Sequence, residues 1–178
     1  FLMTKILILD SGTLITLEMN GLLNILEKLK KNSNVRLAIT HEVKRETIDR
    51  PIGVPRFELE ALRIQGLLDE RILELPESFD VSNEKIAEIT RALMEKANHS
   101  VMANGKWMNI VSDAEISCLA LSKELAKQKI ESMIAIDERT TRVLSEKPES
   151  LEKIMSEKLH AKASINKKTL SDFASCRF

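Results

Sequence analysis

Four acidic residues could do chemistry in this sequence: Asp10, Glu46, Asp113 and Asp137. Asp10 ends the apolar run at 6–9, and Asp137 ends another at 133–136. Glu46 lies in the helix predicted after a second strand, and Asp113 lies in the first turn of a later helix. In an open parallel sheet the carboxyl ends of the strands share one edge, and ligands bind outside it. Asp10 and Asp137 are therefore expected to converge, with Glu46 and Asp113 reaching in from helices. Gathered carboxylates repel one another and resist joint ionisation unless a cation offsets their charge. Mg²⁺ or Mn²⁺ suits an all-oxygen set, because hard cations keep waters and contact phosphate.

The elements that must hold these acids follow from apolar spacing. The unbroken run at 6–9 suits a strand covered on both faces, and Ser11, Gly12 and Thr13 place small, oxygen-bearing residues in the turn after Asp10. Leu14 to Leu29 repeats at helical intervals, interrupted near Asn20 and Gly21. A second strand is expected over 35–39, then a helix, HEVKRETIDR, capped by Thr40 and stopped by Pro51. Residues 57–68 read as a third helix, 71–75 as an edge strand ended by Pro76, and Val81 to about Met102 as a long helix before a turn at Asn104 and Gly105.

Ser112 with Glu115 three residues on forms a capping box, so a helix starts with Asp113 in its first turn and Glu115 as the cap. A strand at 133–136 leads into Asp137, followed by a helix over 138–146 and by another, opened by Pro148, from Glu149 to His160. From Ala163 the pattern weakens. Strands alternating with helices imply an α/β protein, a three-layer α/β/α sandwich around a mainly parallel sheet. One domain is expected over 3–146, with a C-terminal helical extension over 147–178 that is cut short at Phe178.

Composition narrows the function classes. With 178 residues, 43% of them hydrophobic, one sizeable core is expected. Aromatic residues make up 3% with no Tyr, which argues against an aromatic base-stacking platform. Twenty-seven basic and 27 acidic residues cancel, which disfavours sequence-independent coating of DNA. Cys118 in an apolar helical pattern and Cys176 in the tail lack metal-ligand spacing and read as inert thiols of a reducing cytoplasm. No apolar stretch has membrane-spanning length and no signal segment precedes Ile6, so a soluble, cytoplasmic protein is expected. Phe1 and Leu2 precede Met3, which reads as the natural start.

The segments ILDSGTLI, THEVKRE, SDAEISCLAL and IAIDERTTRVL, in that order, resemble the acidic motifs of PIN-domain nucleases over the chain to about Leu144. The resemblance implies a PIN-like fold and a Mg²⁺- or Mn²⁺-dependent endoribonuclease that hydrolyses phosphodiester bonds with metal-activated water. Carried over position by position, it implies catalytic and metal-site roles for Asp10, Glu46, Asp113 and Asp137. Ser11 or Thr13 would give hydroxyl support. Spacing from Thr40 in the resembled motif favours Glu46 over Glu42. The segment KPESLEKIMSEKLHAK is similar to the extension of longer, archaeal-type PIN proteins. RNA is the implied substrate, and a homodimer or a protein partner, an antitoxin or an RNA-processing complex, stays open.

Other roles are open at this point. Asp10 alone suits a turn, Asp113 and Glu115 suit helix capping, and Asp137 can pair with Arg139 or Arg142. A catalytically silent PIN-like scaffold that binds RNA or protein is an alternative. DSGTL is also similar to the Asp-x-Asp-Gly-Thr turn of aspartate-nucleophile phosphatases, but Gly12 stands where the second Asp would be. Lys158, His160, Lys162, Lys167 and Lys168 form a basic run suited to solvent or a phosphate backbone. His41, His99 and His160 are too scattered for zinc, and Trp107 and Met108 read as core or interface.

Overall fold

The computed structural model describes residues 5–173 and Phe178, so the expectations for Met3 and Cys176 lie outside the described residues. Strand β1 (Lys5–Leu9) leads through Asp10 into helix α1 (Ser11–Met19). The helix expected from Leu14 to Leu29 is two, α1 and α2 (Asn24–Asn32), because Gly21 turns the chain at φ +66°. Strand β2 (Val35–Ala38) runs into Thr40, whose hydroxyl accepts from the Val43 N–H and caps α3 (His41–Lys44). The helix does not continue regularly to Arg50. Residues 45–49 form a π turn, with the Arg50 N–H on the Arg45 carbonyl at 3.0 Å, and Pro51 starts a 3₁₀ turn.

Helix α4 (Glu58–Asp69) and strand β3 (Leu73–Glu74) follow, the strand shorter than expected and stopped by Pro76. Helix α5 (Asn83–Asn98) ends before Met102. Val101 and Met102 belong instead to β4 (Val101–Ala103), which turns at Asn104 and Gly105 into β5 (Lys106–Trp107). Both turn residues have positive φ, 51° and 74°, the backbone that a two-residue hairpin loop requires. Then come α6 (Asp113–Lys127), β6 (Ser132–Ala135), α7 (Arg139–Glu146), α8 (Leu151–Leu159), β7 (Ala163–Ile165) and α9 (Lys167–Leu170).

The central sheet is all parallel, in the order β3-β2-β1-β6, with Leu7 opposite both Leu37 and Met133. Helix α2 packs on β2, α4 on β3, and α6 on β1 and β6. This is an α/β fold consistent with three layers. Ile8, Leu37, Leu119 and Leu121 are fully buried, each side chain worth about 1.5–3 kcal/mol of apolar burial.

A second, antiparallel sheet, β5-β4-β7, was not expected. The segment 147–178 is not purely helical, because β7 finds hydrogen-bonding partners along β4, with Val101 opposite Ile165. Leu151, Met155, Leu170 and Phe173 join the same buried cluster as the sheet. Among the described residues no helix is long and apolar enough to cross a membrane.

Candidate carboxylate site

Asp10 stands at the carboxyl end of β1 and is 3% exposed. Its N–H donates to the Ala135 carbonyl at 3.0 Å, and the Thr13 hydroxyl donates to the same oxygen at 3.0 Å. These bonds lace the ends of β1 and β6 together, so Asp10 and Asp137 fall on one edge. The Asp10 carboxylate accepts from the Gly12 N–H at 3.2 Å as the cap of α1. The turn-former role and the site role are thus the same geometry.

The first two turns of α1 gather two more acids. The Ser11 hydroxyl donates to Glu46 at 2.7 Å and lies 3.5 Å from Asp10. The Thr16 hydroxyl donates to Asp137 at 3.2 Å. Gly12 leaves room for Asp137, since an added Cβ would lie 3.1 Å from the Asp137 Cγ and collide with Oδ1. Asp137 takes no part in an ion pair among the described residues, and Arg142 turns to Glu146 at 3.6 Å instead.

Helix α6 presents its acids differently from the sequence reading. Ser112 caps the helix by accepting from the Glu115 N–H at 3.2 Å, as expected. Asp113 is exposed, and its side chain has no hydrogen bond or ion pair among the described residues. Glu115 is half-buried and accepts from the Thr141 hydroxyl. Glu115 shares a helix stripe with Cys118, three residues on, and Cys118 packs against the Leu9 carbonyl at 3.9 Å. That stripe faces the end of β1, a placement that the local sequence around Ser112 does not reveal. Thr40 and Ser117 share a 2.6 Å hydrogen bond, which ties the start of α3 to α6.

Burial lifts the Asp10 carboxyl above its ordinary range, the Ser11 and Gly12 backbone donors pull it back, and the charges of Asp137 and Glu46 push it up. Burial likewise raises Glu115, with the Thr141 hydroxyl opposing and the Asp10 charge adding. The Cys118 thiol is raised strongly by burial and by Asp10, Glu115 and Glu42, which keeps it protonated and inert. Glu42 is buried one turn before Glu46, and its Oε2 has no hydrogen-bond partner among the described residues. Lys158 of α8 reaches Glu138 at 3.2 Å and Thr140 at 3.3 Å, which holds the turn after Asp137.

Asp10, Glu46, Asp137 and Glu115 therefore share one region, and none of them is in an ion pair among the described residues. As they stand they converge without closing a group of three potential metal ligands among the described residues. The donor set is all oxygen and no Lys or Arg among the described residues pairs with it, a combination that fits a hard divalent cation. Comparison of the chain with protein-family models, with curated proteins and with solved structures gave no match.

Proposed function

We propose that the chain is a divalent-metal-dependent nuclease with a PIN-like site, acting on RNA. One observation carries the reading: four carboxylates surround the turn after β1, and hydroxyls and backbone N–H groups orient them while no Lys or Arg among the described residues neutralises them. Asp10, Asp137 and Glu46 would hold Mg²⁺ or Mn²⁺, with Glu115 rather than the exposed Asp113 as the acid from α6. When bound, such a cation supplies Lewis acidity towards phosphate oxygens and activates water for in-line attack.

The chain's own part is positioning. Ser11 fixes Glu46, and Gly12 with Thr16 fixes Asp137. Thr13 keeps the ends of β1 and β6 in register, which sets the separation of Asp10 and Asp137. Thr141 turns Glu115 inward, beside Asp10.

The test is cleavage of a structured RNA and thermal unfolding, each with EDTA and with millimolar Mn²⁺. Mn²⁺-dependent cleavage together with a Mn²⁺-dependent rise in melting temperature is the expected result, because a ligand that binds only the folded state stabilises by mass action. If Mn²⁺ changes neither readout, the chain is a PIN-like scaffold and Asp10 is a turn residue.

A further inference from the structure

Beside the carboxylates runs a groove of about 410 Å³ that no role has yet absorbed. Ala61 and Ile64 of α4 line it, as do Ile15 and Met19 of α1, and Glu46 lines it too. Glu46 is thus common to the groove and the acidic site, so an occupant of one lies against the other. Phe57 borders the groove and is 47% exposed, and the Arg56 guanidinium lies over one face of its ring, 5.4 Å from the centroid. Arg56 is in no ion pair among the described residues.

Three carboxylates also line the groove, and two are accounted for. Arg63 neutralises Glu18 at 2.9 Å, and Ser11 holds Glu46. Glu60 has neither an ion-pair partner nor, at Oε2, a hydrogen bond among the described residues. A flat apolar ring, a guanidinium without an ion pair among the described residues and an unsatisfied acceptor thus line one small groove.

We infer that this groove is a nucleotide subsite for single-stranded nucleic acid: one unpaired base stacks on Phe57, its phosphate pairs with Arg56, and Glu60 accepts from an exocyclic amino group. The direction of the strand, onward to Asp10, rests on the nuclease reading; the subsite itself does not. The volume is that of a small-ligand pocket. Each part of a nucleotide answers one of the three features, and stacking needs no more than one ring for one base. Composition argued against a platform for many bases, and one ring beside the carboxylates is consistent with that. Cytosine, adenine and guanine carry an exocyclic amine and uracil does not, so the subsite favours the first three.

The test is fluorescence anisotropy of the full chain with short oligo-C and oligo-U RNA in EDTA, with Mn²⁺-dependent cleavage measured separately. Phe57→Ala and Arg56→Gln should each weaken oligo-C binding on the order of tenfold, and Glu60→Gln should erase the preference of oligo-C over oligo-U while the melting temperature holds. If binding falls as expected but no cleavage is seen, the subsite stands and the nuclease reading fails. If RNA is cleaved but Phe57→Ala and Arg56→Gln bind normally, the subsite is overturned and the nuclease reading stands. Ile52, Val54, Leu59 and Leu62 are also exposed nearby. If the wild type binds neither oligonucleotide and Phe57→Ala changes its self-association in size-exclusion chromatography, the face serves protein contacts and the inference is overturned.

Discussion

Two sets of carboxylates sit on the same parallel sheet and are handled in opposite ways. At the β3 edge, Glu74 receives the Arg36 side chain at 3.2 and 2.5 Å and Lys30 at 3.1 Å. Burial alone would raise Glu74, but the Arg36 and Lys30 hydrogen bonds and charges outweigh it and hold the carboxyl below its ordinary range. At the edge shared by β1 and β6, Asp10, Glu46, Asp137 and Glu115 receive only hydroxyl and backbone donors among the described residues. With 27 cationic residues in the chain, cations are not scarce. A guanidinium neutralises a carboxylate as it orients it, whereas a hydroxyl orients it and leaves the charge in place. The first arrangement is complete in itself; the second is open to a cation from outside.

Asp10→Asn is expected to break this contrast most severely. It should abolish both the Mn²⁺-dependent rise in melting temperature and cleavage. It should also raise the metal-free melting temperature, because it removes a buried charge and its repulsion. A gain of about 1 kcal/mol corresponds to roughly 2–4 °C in a chain of this size. Scanning calorimetry with and without Mn²⁺ decides; an unchanged Mn²⁺ response in the variant would refute the cation site.

Gly12→Ala sharpens the comparison without removing any acid. A methyl group there must displace Asp137, so Mn²⁺ affinity should fall about 10–100-fold by calorimetric titration, as when a ligand's support is lost. Wild-type affinity would mean that Asp137 stands outside the cation site. Glu74→Gln tests the other side. It should cost about 1 kcal/mol, a figure kept small because Arg36 and Lys30 are partly solvated, and it should leave Mn²⁺ affinity unchanged.

How much of this was legible in the sequence depended on whether local chemistry settled the question. Runs of apolar residues ending in an acid were enough for β1 and β6, and Thr40 and Ser112 cap the helices expected of them. The choice between Asp113 and Glu115 was not local. Ser112 binds the Glu115 backbone whatever its side chain does, and Thr141, 26 residues away, draws that side chain inward. The π turn that carries Glu46 was invisible, because HEVKRETIDR has ordinary helix composition and the turn's phase is set by packing against α1 and α4. The β4–β5 hairpin was half visible. Asn104 and Gly105 are a strong hairpin signal, but the flanking strands are too short to alternate, and β7 joins them from some 60 residues away.

The smallest expected effect is on pH dependence, and its sign separates the two sets of acids. Asp10 and Glu115 have folded-state carboxyls raised above their ordinary range, so between that range and their folded values the folded chain binds more protons than the unfolded one. Their contribution to stability is therefore lost as pH rises through that window and recovered as pH falls. Glu74 and Glu138 are lowered, so their contribution is present above the ordinary range and lost at more acid pH, as it falls through their folded values. As pH falls from neutral towards the ordinary carboxylate range, metal-free protein should become more stable, because the paired acids stay ionised while the folded chain takes up protons at Asp10 and Glu115 before the unfolded chain does. Mn²⁺ should reverse that slope, since a cation binds the ionised carboxylates and protons compete with it. Asp10→Asn should flatten the metal-free slope and leave the Glu115 share. Equal slopes in wild type and variant by urea unfolding would mean that the Asp10 carboxylate feels no unrelieved charge, and the distinction between a closed ion-pair clamp and an open cation site would collapse with it.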